Sequence, residues 1–234
     1  MRFGLEESSA FMEIFVCGIL FDMDGILISS IGSVERSWKK WGEMRGLDGG
    51  LAIKAAHGKR AIDTIRLLRP DLDDREELEL IENLEIADKD DLRVLDGVQR
   101  LLEQLPATRW AIVTSATERL ARVRLEHAGI PVPEQMITGD MVTHGKPHPE
   151  PYLSGAELLG CRPEDCLVIE DSTSGAKAGR EAGCKVLATL FTDSAESLSA
   201  ADWIVQSLAD VKAEASGDGV KVEFTPITRV AAAR

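Results

Sequence analysis

The chain has 234 residues, 44% of them hydrophobic and 29% charged, a globular balance that can bury a core; its length is generous for one domain and short for two. A net charge of -13 argues against nucleic acid and anionic membrane as partners, because both are bound by clustered Lys and Arg. A small phosphorylated ligand survives this exclusion, since one lysine and one cation can reverse the local sign.

No apolar run reaches the roughly 18 residues needed to cross a bilayer. The first eleven residues contain Glu6 and Glu7 and lack a long apolar core, so they read as a short extension, or as sequence before a start at Met12, and not as a secretory signal. Cys17, Cys161, Cys166 and Cys184 form no CxxC pair and lie mostly in apolar strand-like runs. This predicts reduced core thiols in a cytoplasmic protein, not zinc ligands.

Residues 16–21, VCGILF, have the length and bulk of a strand buried on both faces of a parallel sheet. The run stops at Asp22 and Asp24, on alternate positions, and Gly25 lets the chain turn at once. Two acids at the carboxyl edge of an α/β sheet, where such sheets bind ligands, imply either a bound divalent cation or a shared proton. A surface turn in which both side chains cap local amides is the competing expectation.

Val34, Trp38, Trp41 and Met44 then recur at helical spacing as far as Gly46, with Arg36, Lys39, Lys40 and Glu43 opposite, which makes Trp38 and Trp41 core residues. Residues 51–69 predict a second helical segment closed by Pro70, and Asp73 with Glu76 has the spacing of a cap before a third. Nothing between residues 31 and 95 reads as a strand. From Gly97 the pattern alternates. A helix runs to Leu105, a buried strand covers 110–115, and a helix capped by Thr117 ends at Gly129. A short strand at 135–138, a helix at 150–159, a strand at 166–171 and a helix from about Ser174 follow, then strands at 184–189 and 202–205. Residues 220–224 alternate as an exposed edge strand or hairpin arm would. The predicted fold class is α/β: a Rossmann-like doubly wound parallel sheet from residues 1–30 and 97–234, interrupted by a helical cap at 31–96.

Functional groups stand at one predicted edge of that sheet: Asp22 and Asp24, Thr114 and Ser115, Glu170 and Asp171. The Pro-rich segment 143–152, THGKPHPEPY, fixes the backbone around Lys146. A hydroxyl, a lysine and carboxylates converging there are the groups needed to hold a phosphoryl group and a magnesium ion. His144 and His148, four apart with no helix to align them, are read as loop residues.

Through these residues the chain resembles the haloacid dehalogenase superfamily, whose four motifs correspond to DMDG (22–25), Ser115, Lys146 and Glu170-Asp171. It is most similar to the sugar phosphatases of that superfamily, the 2-deoxyglucose-6-phosphate and glycerol-3-phosphate phosphatases, through VERSWKKW (34–41), HGKRAIDTI (57–65) and GKPHPEPYL (145–153). The resemblance implies that Asp22 attacks phosphorus to form an aspartyl-phosphate. Asp24, kept protonated by its acidic neighbour, would donate a proton to the departing alkoxide and then act as the base that activates water. It implies Mg2+ held by the Asp22 carboxylate, the Asp24 backbone carbonyl and Asp171, with Glu170 supporting the ion from behind or ligating in its place. Ser115 and Lys146 would hold the phosphoryl oxygens, helped by the amide of Ala116. Where the family usually has Thr after the motif glycine, this chain has Ile26.

The cap must then supply specificity, with His57, Lys59 and Arg60 as its candidates to meet the leaving group, and it is expected to close as a lid. A sugar-phosphate mutase of the β-phosphoglucomutase type is the alternative function. Those enzymes carry a lid histidine about ten residues beyond the second aspartate, where this chain has Val34. Asp24 disfavours a dehalogenase, whose halide leaving group needs no acid, and Lys54 and Lys59 are the available lysines for phosphonate cleavage. A phosphate-binding module without turnover is the non-enzymatic alternative. A monomer acting on a small phosphorylated metabolite is expected.

Overall fold

A computed structural model describes residues 10–227; the expectation for the first residues falls largely outside them. Strands β1 (Met12–Val16), β2 (Gly18–Phe21) and β3 (Ile28–Ser29) lead into helices α1 (Ile31–Met44), α2 (Gly49–Ala56), α3 (Ala61–Leu68) and α4 (Asp74–Ala87). Then come β4 (Arg93–Val94), α5 (Val98–Gln104), β5 (Trp110–Val113), α6 (Glu118–Ala128), β6 (Met136–Ile137), α7 (Glu150–Leu158), β7 (Cys166–Glu170) and α8 (Thr173–Glu181). The chain ends in β8 (Lys185–Thr189), β9 (Trp203–Val205), β10 (Val211–Ser216) and β11 (Gly219–Phe224).

Six strands form a parallel sheet in the order β6-β5-β2-β7-β8-β9. β2 lies at its centre, in register with β5 (Phe21 against Ile112) and β7 (Phe21 against Ile169). Its four residues are buried on both sides because helices cover both faces. Ile19 and Phe21 pack with α5, α6 and a second sheet, while Leu20 packs with Tyr152 and Ala156 of α7 and Ala176 of α8. The chain goes from β2 to β5 on one side and returns through β7 on the other, so the strand order reverses beside β2 and opens a crevice at the carboxyl ends.

The helical block has a core of its own, made of Trp38, Trp41, Ala52, Ala56, Ile65 and Ile81. Trp38 and Trp41 meet edge to face at 5.3 Å, as expected of core residues. Helix ends are tied where short polar side chains precede them. Thr117 accepts from the Leu120 amide and Ser172 from Gly175, each such cap stabilising by roughly 1 kcal/mol. Asp73 does the same for Arg75 and Glu76.

Several sequence expectations need correction. The apolar run at 16–21 is not one strand: Val16 ends β1 in an antiparallel sheet and β2 begins only at Gly18. The segment 51–69 is two helices, broken at residues 57–60. The stretch 31–95 does contain a strand, since β4 pairs with β3 to make a two-stranded ribbon at the entry and exit of the helical block. β11 is a hairpin arm but not an edge; it lies between β1 and β10, with Val220, Val222 and Phe224 turned inward against the main core. Two of the four cysteines are not thiols. Cys17 and Cys161 form a disulfide across 144 residues of sequence, because the link between β1 and β2 and the turn after α7 place their Cα atoms 5.9 Å apart. Cys166 and Cys184 are free and buried, and burial pushes their thiols up to about 11 and about 12. The cysteines therefore lend no support to a reducing compartment. No described helix is long and apolar enough to cross a membrane.

Candidate active site

The crevice is the floor of a chamber of about 410 Å3 between the sheet edge and the helical block. Asp22 follows directly on β2, and its amide donates to Ile169 O (3.0 Å), which continues the ladder to β7 by one bond. Thr114 and Ser115 follow β5, and Glu170 and Asp171 stand at the end of β7. Lys146 reaches in from the loop before α7 and is almost fully buried. It donates to Asp22 Oδ1 (2.6 Å), Glu170 Oε1 (2.8 Å) and Val113 O (2.9 Å). Two glycines permit this density. Gly25, at φ +87°, would place a Cβ 1.8 Å from Asp171 Oδ2, and Gly175 would place one 1.6 Å from Glu170 Oε1.

Asp22, Glu170 and Asp171 each present an oxygen within 4.8 Å of the others, a set of hard donors suited to a divalent cation. Three carboxylates against one ammonium leave two negative charges uncompensated, the charge such a cation would balance. The titration of the group reflects this. Burial pushes Asp22 up to about 7, with Lys146 offsetting only part, and burial reinforced by Glu170 and Asp22 pushes Asp171 well above the usual carboxylate range. For Glu170 burial is outweighed by the charge and hydrogen bond of Lys146, so it stays low. Lys146 is held high by Asp22 and Glu170 against its own burial. Glu170 has no lone pair to spare, because it accepts from Lys146, the Tyr152 hydroxyl, the amides of Asp171 and Ser172 and the Ser172 hydroxyl. Asp22 Oδ2 and Asp171 Oδ1 accept no hydrogen bond from the described residues.

Asp24 also lines the chamber, but its carboxyl belongs to a different cluster. Ser30 Oγ donates to Oδ1 (2.5 Å), and Arg124 Nη1 donates to Oδ1 (3.0 Å) and Oδ2 (2.9 Å). The groups touching this carboxyl are a hydroxyl and a guanidinium, not the acidic neighbour that the resemblance implied. Neither Asp22 nor Asp24 caps a local amide through its side chain, which removes the surface-turn alternative. Ile26 is buried in the main core, so an apolar residue suits that position.

The sequence profile of the haloacid dehalogenase-like hydrolases matches residues 19–189. The chain belongs to this family. It is 37% identical over 199 residues to hexitol phosphatase A of Escherichia coli, an alignment covering 83% of this chain and 92% of that one. It is 36% identical over 186 residues to glycerol-1-phosphate phosphohydrolase 2 of Saccharomyces cerevisiae, covering 74% of each. The structure of a HAD family hydrolase from Deinococcus radiodurans R1 with bound phosphate and sodium superposes with a TM-score of 0.62 at 28% identity, covering 83% of this chain and 92% of that one.

Among the remaining candidates of this HAD-like chain, Ser115 fits a ligand role best, for its hydroxyl is buried at the chamber and has no partner among the described residues. The amide of Ala116 is already given to Thr114 Oγ1 (3.1 Å), so it is not free for a phosphate. His57 and Lys59 line the chamber; the His57 Nε2 is buried without a hydrogen bond to any described residue, 3.9 Å from Glu35. Arg60 has another task. Its five donors go to both oxygens of Asp63 and to the carbonyls of Gly139, Val142 and Thr143, so it fastens the helical block to loops of the sheet domain and has none left for a leaving group.

Sequence reasoning overlooked Tyr152, Thr192 and Arg124. Tyr152, the single tyrosine of the chain, lies under Lys146 with Nζ 4.9 Å from its ring centre, and Thr192 donates to Asp171. Arg124 had a readable signal, because it falls between Ala121 and Leu125 on the inward stripe of α6. His144 and His148 are indeed loop residues, but their rings stack at 4.6 Å beside Glu150, whose carboxylate is already taken by the amides of Thr143 and His144.

Proposed function

We propose that the chain is a Mg2+-dependent phosphatase for a small sugar or polyol phosphate, working through a phosphoryl group carried on Asp22. The observation that carries this reading is the buried Asp22 carboxylate, facing Lys146 and Asp171 at the floor of a chamber that the helical block covers. Residues 31–96 would act as the cap over a core of 1–30 and 97–234.

A phosphate on the floor would meet the Ser115 hydroxyl beside the Lys146 ammonium, whose three donors go to Asp22, Glu170 and Val113 O and which would act through its charge. Asp22 attacks phosphorus, the bond to the leaving oxygen breaks, and that oxygen takes a proton from Asp24. Water then attacks the same phosphorus and gives its proton to Asp24, while the bond to Asp22 breaks. Asp22, the Asp24 carbonyl and Asp171 would hold a Mg2+, which would supply charge compensation for the phosphoryl oxygens. Glu170, with its lone pairs filled, would hold Lys146 and orient the turn that carries Asp171. The names of the relatives support a polyol or sugar leaving group, and a chamber of about 410 Å3 has room for one. Val34 offers no proton-transfer group, which favours hydrolysis over the mutase reaction.

The test is Mg2+-dependent hydrolysis of p-nitrophenyl phosphate with an Asp22→Asn control, followed by a panel of sugar and polyol phosphates read by free phosphate. Release that needs both Mg2+ and Asp22 is expected. Isomerised sugar phosphate without release would favour the mutase, and no turnover at all would leave a binding module.

A further inference from the structure

Arg124 is 3% exposed, and its guanidinium spans two carboxylates from opposite sides of the chamber. Nη1 holds both oxygens of Asp24 in the sheet domain, and Nη2 donates to Glu85 (2.9 Å) on α4 of the helical block. Glu85 is itself buried, and the Nε of Arg124 is buried at the chamber wall without a partner among the described residues. A buried guanidinium must stay paired. Its orientation, and with it the direction in which Asp24 points, therefore depends on whether Glu85 is in place.

We propose that Arg124 is a positioning residue: it sets the orientation of the Asp24 carboxyl and, through Glu85, couples that orientation to the docking of the helical block. The inference rests on the proposed proton-donor role of Asp24. It makes proton delivery to the leaving oxygen a property of the closed chamber, since lifting α4 removes one of the two anchors of Arg124. A residue that merely bound the leaving group would act through the substrate's hydroxyls. A residue that positions the acid acts through the basicity of the leaving oxygen, whatever the leaving group's shape.

The experiment measures kcat/KM of the wild-type protein, Arg124→Met, Arg124→Lys and Glu85→Gln on para-substituted phenyl phosphates, which keep one shape while leaving-group basicity varies. Because kcat/KM reports phosphoryl transfer to the protein, later hydrolysis does not enter. For Arg124→Met, the p-nitrophenyl ester, whose leaving group needs no proton, is expected to lose about fivefold or less. The unsubstituted phenyl ester should lose roughly 50-fold or more, within the 10²–10⁴ range of general-acid catalysis. Glu85→Gln is expected to steepen the dependence less. Should Arg124→Met fail to fold, Arg124→Lys keeps the charge but not the two-pronged grip, and the same steepening is expected of it. Parallel losses across the series, or none, would overturn the positioning role, and a Glu85→Gln slope equal to wild type would overturn the coupling. If the wild-type protein hydrolyses none of the esters, it is the proposed phosphatase function that fails.

Discussion

At the floor of the chamber, adjacent strands deliver Asp22, Thr114 and Glu170-Asp171 to one edge, and the charges gathered there do not cancel. At the roof, the polar groups come from helices with a separate core, and several of them are tied to partners across the boundary. Arg60 grips three carbonyls of the sheet domain, Glu82 accepts from Thr117 and Arg119, Glu85 from Arg124, and Gly58 O from Ser174. The contrast separates two tasks. Uncompensated charge at the floor is chemical capacity, kept by a rigid sheet that cannot relax around it. Satisfied polar pairs at the roof form a seam between the helical block and the sheet.

If that division is right, substitutions at the floor should remove chemistry and those at the roof should alter closure. Asp22→Asn is expected to lower kcat by at least about 10⁴-fold with the fold intact, read by phosphate release and circular dichroism, since the attacking group itself is gone. Lys146→Met leaves Asp22 and Glu170 buried without their cation. Activity should fall by about 10³-fold and stability by roughly 3–5 kcal/mol in urea unfolding, the cost of breaking a buried pair from one side. Arg60→Met should cost about 10- to 100-fold in kcat/KM, by misplacing the helical block. Lysine should not restore it, because one ammonium cannot replace five directed donors. A smaller effect concerns pH. Asp22 must be ionised to attack, burial raises it to about 7, and a bound cation favours the ionised form. The acid limb of kcat/KM should therefore move to lower pH as Mg2+ is raised; a limb that stays fixed would argue against a cation beside Asp22. Tyr152→Phe should destabilise by only about 1 kcal/mol and change kcat by less than about threefold, as it removes one hydrogen bond to a Glu170 that keeps four others.

The floor was legible in the sequence for the reason that makes it rigid. A buried strand has a fixed direction and its end is marked by the change from apolar to polar, so Asp22, Ser115 and Glu170-Asp171 could be placed from their neighbours alone. Lys146 followed from the prolines around it. The roof was not legible, because a cationic turn such as HGKR looks the same whether it faces solvent, substrate or another part of the chain. Only folding shows that Arg60 points at Gly139, Val142 and Thr143. The Cys17–Cys161 bond was hidden likewise, since no local spacing announces a contact between residues so far apart. Arg124 is the intermediate case: its place on an apolar stripe was visible, but both its partners lie in other elements.

The central claim is that Asp22 carries the phosphoryl group, and trapping that group tests it most directly. The protein is mixed with a ³²P-labelled sugar or polyol phosphate that it turns over in Mg2+, quenched in acid within the first turnover, and digested for peptide mapping. The account predicts label on the peptide containing Asp22 and on no other, absent from Asp22→Asn. Turnover with no labelled protein, or label on another residue, would contradict it.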